Sequence, residues 1–182
     1  MLTGEPLALD LVNTRASTPD GEIDALADLG GLRTWLDAQS GRLVATGSIS
    51  ESDLAAVREL RHQVGLAIEA ARCGRRPSSV AVAAINDAVR EAPQYHTAHW
   101  SDNGLDAQSH RTGDARAIIL AQLAEAAVDL LTGPSITKIR ACEGPQCRML
   151  FLPAHPRRRW CSPALCGNRV RVARYYQRHK AE

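Results

Sequence analysis

Four cysteines near the C-terminus carry the chemistry of this 182-residue chain. They stand as Cys142-Glu-Gly-Pro-Gln-Cys147 and Cys161-Ser-Pro-Ala-Leu-Cys166, two pairs with four residues between the members of each. Paired thiolates at this spacing suit a metal ion, and four of them close a tetrahedron around zinc with no position left open for chemistry. The expectation is one structural Zn²⁺ per chain, held by Cys142, Cys147, Cys161 and Cys166, and a protein that is not an enzyme. The fifth cysteine, Cys73, reads as a tolerated thiol at a helix end.

The residues around the cysteines must position them. Ile136 to Ala141 reads as a strand leading into the first knuckle, where Gly144-Pro145 permits a turn that aims backbone N–H groups at the sulfurs. Met149-Leu-Phe-Leu152 reads as the return strand, and Trp160 as a ring packed beside the site. Ser162-Pro163 is a helix start, with Ser as N-cap and Pro at the first position, so Cys166 falls in the first turns of a helix running to about His179. Knuckle, hairpin and ligand-bearing helix make a treble-clef-like zinc finger. So short a segment lacks the apolar surface to fold alone, and metal binding supplies the missing free energy.

The same segment is strongly basic. Residues 134–182 hold 11 Lys+Arg against Glu143 and Glu182, a net of +9, whereas residues 1–133 hold 11 against 18 acidic residues, a net of −7. A basic module on an acidic body points to a phosphate-bearing partner, and the two halves can also attract each other. Arg171, Arg174 and Arg178 share one face of the last helix, Lys180 extends it, and Arg157-Arg158-Arg159 forms a second cluster between the cysteine pairs. Arg148 and Arg169 can instead balance the −2 charge of a zinc–tetrathiolate centre.

Upstream, apolar spacing predicts a mainly α body. Pro6–Asn13 opens with a helix-like pattern, and Asp24–Leu36 reads as a short helix bent at Gly30-Gly31. Ser50 and Asp53 form a capping signal ahead of Leu54, Val57, Leu60, Val64 and Ile68. Ser78–Glu91 repeats the pattern with Val82, Ile85 and Val89, and Thr112–Leu131 is a long apolar helix. Between them, Tyr95–His110 reads as a small β-hairpin around Asn103-Gly104. His96 and His99 fall on opposite faces of its strand, which disfavours a second metal site. Thr132-Gly-Pro134 marks a boundary, giving a helical domain over 1–133 and a finger over 134–182 that fold separately. No apolar run is long enough to span a membrane, and the start lacks a signal-peptide pattern, so a cytoplasmic protein is expected.

The string Cys166-Gly-Asn-Arg169, with Ile139–Leu152 and Arg157–Arg169 around it, closely resembles the CGNR zinc fingers. That family joins its finger to an N-terminal helical domain, ABATE, of stress-induced bacterial transcription regulators, and Leu7-Ala-Leu-Asp-Leu-Val-Asn-Thr14 resembles the opening of that domain. The resemblance implies that the four cysteines are the zinc ligands and that Gly167 packs tightly beside the metal. It leaves Asn168 bonding a thiolate or the knuckle backbone, and Arg169 meeting the cluster or a phosphate. It implies a zinc-dependent DNA-binding transcription regulator, and the basic residues Arg157, Arg158, Arg159, Arg169, Arg171, Arg174, Arg178 and Lys180 are its candidate nucleic-acid contacts. The helical domain would then sense a small-molecule effector or form a homodimer. The alternative is an RNA- or protein-binding zinc adaptor.

Overall fold

A computed structural model describes residues 4–18, 21–44 and 47–179. The chain opens with α1 (Leu7–Val12), whose Leu9 and Leu11 are fully buried. Two short strands follow, β1 (Arg15–Thr18) and β2 (Gly21–Asp24), paired antiparallel with Arg15 opposite Asp24. The sequence pattern had run a helix from Asp24; instead α2 (Leu29–Asp37) begins after Asp28, whose carboxylate accepts the Gly31 N–H at 2.8 Å. The two glycines therefore lie in its first turn, with no bend. A Cβ on Gly31 would stand 2.2 Å from the Ala25 carbonyl oxygen, so this close approach demands glycine.

The long helix α3 (Glu51–Arg72) carries the full capping box: the Asp53 N–H donates to the Ser50 hydroxyl and the Ser50 N–H to the Asp53 carboxylate. It stops at Gly74, which takes a φ of 68°. Ser78 caps α4 (Ser79–Glu91). This helix buries Ala81, Ile85 and Ala88, while Val82 is 41% exposed. Of the read stripe, Ile85 is buried and Val89 packs against the core, while Val82 gives way to Ala81 and Ala88. Asp114 caps α5 (Ala115–Thr132), which runs through the centre with Leu123, Ala124 and Ala127 fully buried. Together with Trp35 of α2 and Val64 and Ile68 of α3, these side chains form the main core.

Between α4 and α5 stands a second hairpin, β3 (Gln94–Ser101) and β4 (Gly104–Arg111), closed at Asp102-Asn103 with Gly104 at φ 116°. Arg111 fastens its base, donating to Glu125 and to the Ala92 carbonyl. Nearly all of it is exposed, with Trp100 opposite Leu105 near the tip.

After α5 the chain makes a 3₁₀ turn at Ile136–Lys138, where a strand was expected, because only Arg140–Ala141 finds a partner. That pair is β5, and it meets β6 (Leu150–Phe151) antiparallel. A wide turn at Pro163–Gly167, capped by the Ser162 hydroxyl, leads into α6 (Asn168–His179). The architecture is a mainly helical body with small two-stranded hairpins and a C-terminal cysteine module. No helix among the described residues is long and apolar enough to cross a membrane.

Candidate metal centre

The four cysteines meet although 24 positions separate the first from the last in the numbering, Cys142 to Cys166. Their Sγ atoms all lie within 4.8 Å of one another. Cys147 and Cys161 are 3.9 Å apart, and Cys161 and Cys166 are 3.6 Å apart. A tetrahedral ion at a Zn–S distance of about 2.3 Å spaces its ligands by about 3.8 Å, so the donor set fits zinc in number, type and geometry. It is the one such cluster among the described residues. His96 does not join a second: its Nδ1 pairs with the Ser109 hydroxyl.

Local backbone geometry builds the cup. Strand β5 delivers Cys142, whose sulfur accepts the Gly144 N–H at 3.4 Å and the Cys161 N–H at 3.3 Å. Gln146 turns the chain back toward Cys147 at a φ of 59°, a left-handed conformation that a non-glycine residue adopts only under constraint. A Cβ on Gly144 would stand 3.1 Å from the Cys166 sulfur, whereas one on Gly167 would meet only ordinary contacts from 3.6 Å outward. The glycine that packs tightly beside the site is therefore Gly144. Phe151, fully buried, and Trp160 wall the cluster from below.

The sulfurs do not ionise independently. Cys147 is lowered to about 5, chiefly because the Cys161 thiol donates to it. Cys161 is pushed up by that same hydrogen bond and by burial, and Cys166 is raised to about 11, chiefly by burial. Thiols this close shed all their protons only when a cation draws them off, so metal uptake releases protons. Arg169 supplies a fixed positive charge: its guanidinium lies 3.3 Å from the Cys166 sulfur and donates to the Pro145 carbonyl. Of its two open roles the structure shows the one at the cluster. Asn168 takes neither of its expected roles and instead accepts from Arg171.

The other candidate contact residues divide into two groups. Arg158 is turned inward, donating to the Trp160 and Cys161 carbonyls and to Glu5, and stacking 4.5 Å over the Phe151 ring. Arg159 pairs with Glu143 across the knuckle, which holds the Glu143 carboxyl below its usual range. The second group faces outward. Arg157 is exposed in the loop. Arg171, Arg174 and Arg178 lie along α6, which has no buried residue and packs chiefly against the turn before it. Lys180 lies outside the described residues.

The first turns of the chain hold the module in place, through side chains that the cysteine spacing does not reveal. Asn13 presents its amide to the free edge of β6, donating to the Leu150 carbonyl at 2.8 Å and accepting the Leu150 N–H at 2.9 Å. Glu5 accepts the Leu152 N–H at 2.8 Å and pairs with Arg158 at 2.7 Å. Asp10, 1% exposed, steadies that segment by accepting the Gly4 and Glu5 N–H groups and pairing with Arg42. Glu22 of β2 pairs with Arg148 of the module, and Ala16 of β1 packs on its cluster. Ile139 and Leu150 lie in the same core cluster as the body's helices. The signal for these contacts was the polar half of the opening motif, Asp10, Asn13 and Thr14 set among apolar residues.

A knuckle, a short hairpin and a turn that carries the last of four clustered thiols into a helix define a zinc-finger type of metal centre. The CGNR zinc finger model matches residues 138–179. The ABATE model, whose description reads "Putative stress-induced transcription regulator", matches residues 5–134. The chain belongs to the ABATE family and carries a CGNR zinc finger after that domain. No curated protein matches it.

Proposed function

We propose that the chain is a zinc-dependent, DNA-binding transcription regulator whose single structural Zn²⁺ is held by Cys142, Cys147, Cys161 and Cys166. The observation that carries this reading is α6. Arg171, Arg174 and Arg178 repel one another at helical spacings of three and four, and the helix has no acidic residue to answer them. A lone helix of 12 residues is marginal in water. The metal fixes its start through Cys166, and a line of phosphates would relieve its charge. At about 18 Å long it fits the major groove, which admits one α-helix. Arg157 would add a phosphate contact. Four protein ligands leave the metal no open position, so catalysis forms no part of the reading. A homodimer would match two-fold operators.

A second reading, an RNA-binding adaptor, draws on Tyr175 and Tyr176. They are 56% and 62% exposed beside the arginines, as stacking platforms for unpaired bases would be. Selection from random duplex DNA and from random RNA, on zinc-loaded protein with and without chelator, separates the two. Enrichment of a duplex motif that disappears on chelation supports the regulator. Reversing Arg171 and Arg174 to Glu should weaken binding by roughly tenfold or more and leave zinc content unchanged. Undiminished duplex binding by that variant would show α6 to be a solvated face.

A further inference from the structure

Between the body and the module lies a cleft of about 490 Å³, and its chemistry is not used by the metal or by α6. One wall is the outer face of α3, with Arg58, His62, Gly65 and Leu66; the opposite wall is Arg15 of β1 and Arg148 of the module. The floor is apolar, from Val12 and Leu150. We propose that this cleft binds a small organic anion, a carboxylate or phosphate carried on a flat apolar body, gripped between Arg58 of the body and Arg148 of the module.

Charge comes first in the argument. Four arginines line the cleft. Arg61 is committed, chelated by Asp24 through both nitrogens and bonded to the Thr14 hydroxyl. Arg15 and Arg148 share one carboxylate, Glu22, at 3.5 and 2.6 Å. Arg58 donates to the Leu26 and Ala27 carbonyls and makes no ion pair among the described residues. The one acid on the α3 wall, Glu69, is held by Arg72 through both oxygens. Positive charge is therefore in excess, presented by guanidinium forks that suit carboxylate and phosphate.

Shape points the same way. Gly65 sits in mid-helix, where glycine weakens α3. Packing does not require it, since a Cβ there would meet only the Val12 methyls, at 3.8 and 3.9 Å. What glycine does at this position is keep the cleft open. Beside it Leu66 is 49% exposed, an apolar surface ringed by arginines. Apolar floor, exposed leucine and cationic rim together favour an amphiphilic anion over a bare inorganic one.

The binding claim stands without the DNA reading, whereas a role as effector site rests on it. An anion held on both walls would tie the module to the body and compete with Glu22 for Arg148. By linkage it would then alter how firmly the module holds its metal.

The test uses full-length, zinc-loaded protein at constant ionic strength. Benzoate and phenyl phosphate are the probes, and inorganic phosphate and benzyl alcohol the one-sided controls. Calorimetry should show saturable binding of at least one probe, about tenfold tighter than either control. Arg58→Gln and Arg148→Gln should each weaken it about tenfold. Gly65→Leu should abolish it by filling the cleft, and Leu66→Glu, on an exposed position, by repelling the anion. The absence of saturable binding overturns the proposal, as does parental binding by both Gly65→Leu and Leu66→Glu. If Arg58→Gln weakens duplex DNA binding and leaves the probes unaffected, the cleft belongs to the nucleic-acid surface and the proposal fails. Probe binding without DNA binding would keep the cleft and remove the regulator.

Discussion

The helical body and the cysteine module solve the same folding problem by opposite means. The body buries Trp35, Leu9, Leu11, Ile68 and Leu123 completely among its own side chains. The module has one small cluster of Met149 and Phe151 around Cys142 and Cys166, and two strands of two residues each. Apolar packing organises the first, and thiolate chemistry must organise the second. The difference teaches where each is vulnerable. The body responds to lost volume and the module to lost metal, and the seam between them is sensitive to a handful of polar side chains.

Removing the metal should give the largest effect. Structural zinc contributes about 10 kcal/mol or more to folding in zinc-finger peptides. Chelation, or Cys161→Ala, should abolish zinc content and erase hydrogen-exchange protection in residues 140–179, while α3 to α5 keep their helicity. The body's melting temperature should also fall, because Ile139 and Leu150 leave its core cluster. Cooperative loss of every helix on chelation would mean that the two regions are one folding unit.

Leu123→Ala probes the other side of the comparison. The side chain is fully buried in α5, and such truncations cost about 2–5 kcal/mol. Denaturant midpoints should fall accordingly while the zinc stoichiometry of the folded protein stays the same. The seam is tested by Asn13→Ala, which strands the Leu150 N–H and carbonyl. Each buried group left unpaired costs about 1–3 kcal/mol. Module protection should fall more than body protection, which a purely metal-held module would not show.

Acid should separate the regions too. Arg61 holds the Asp24 carboxyl below its usual value, chiefly by its hydrogen bond. Stability from this pair is fully present above about pH 4 and is lost as pH falls through the lowered folded value. Asp24→Asn should flatten that acid limb of the body in urea titrations. The module should fail at higher pH, as protons compete with metal for the thiolates. The smallest effect belongs to the Ser50 cap: Ser50→Ala should cost about 1 kcal/mol, confined to α3 and without influence on metal binding.

How much of this was legible depended on how local each signal was. The cysteine pairs and the Ser50–Asp53 box act within a few residues of themselves, and the structure has both as read; the hairpin turn is there too, centred one residue earlier, on Asp102-Asn103. The β1–β2 hairpin was missed because its residues carry no strand alternation, and its pairing leans on Arg61 gripping Asp24 from a helix 37 positions away. The basic residues of the module looked alike in the sequence. Their division into inward and outward groups depends on partners such as Glu5, distant in the chain by 153 positions from Arg158. No periodicity encodes such meetings. Likewise the inward face of α4 keeps Ile85 and Val89 as read and takes Ala81 and Ala88 in place of Val82, a choice that only a neighbouring helix decides.

The bond between Asn13 and Leu150 spans 137 positions, so a segment made early completes one made much later. During synthesis α1 leaves the ribosome early, yet its edge stays uncovered until β6 has emerged. Contacts of such long range close slowly, and domains otherwise fold as they appear, N-terminal first. A chain stopped anywhere before residue 150 would leave Asn13 without its partner and the core short of Leu150. Only a chain extended past residue 150 can therefore close this seam.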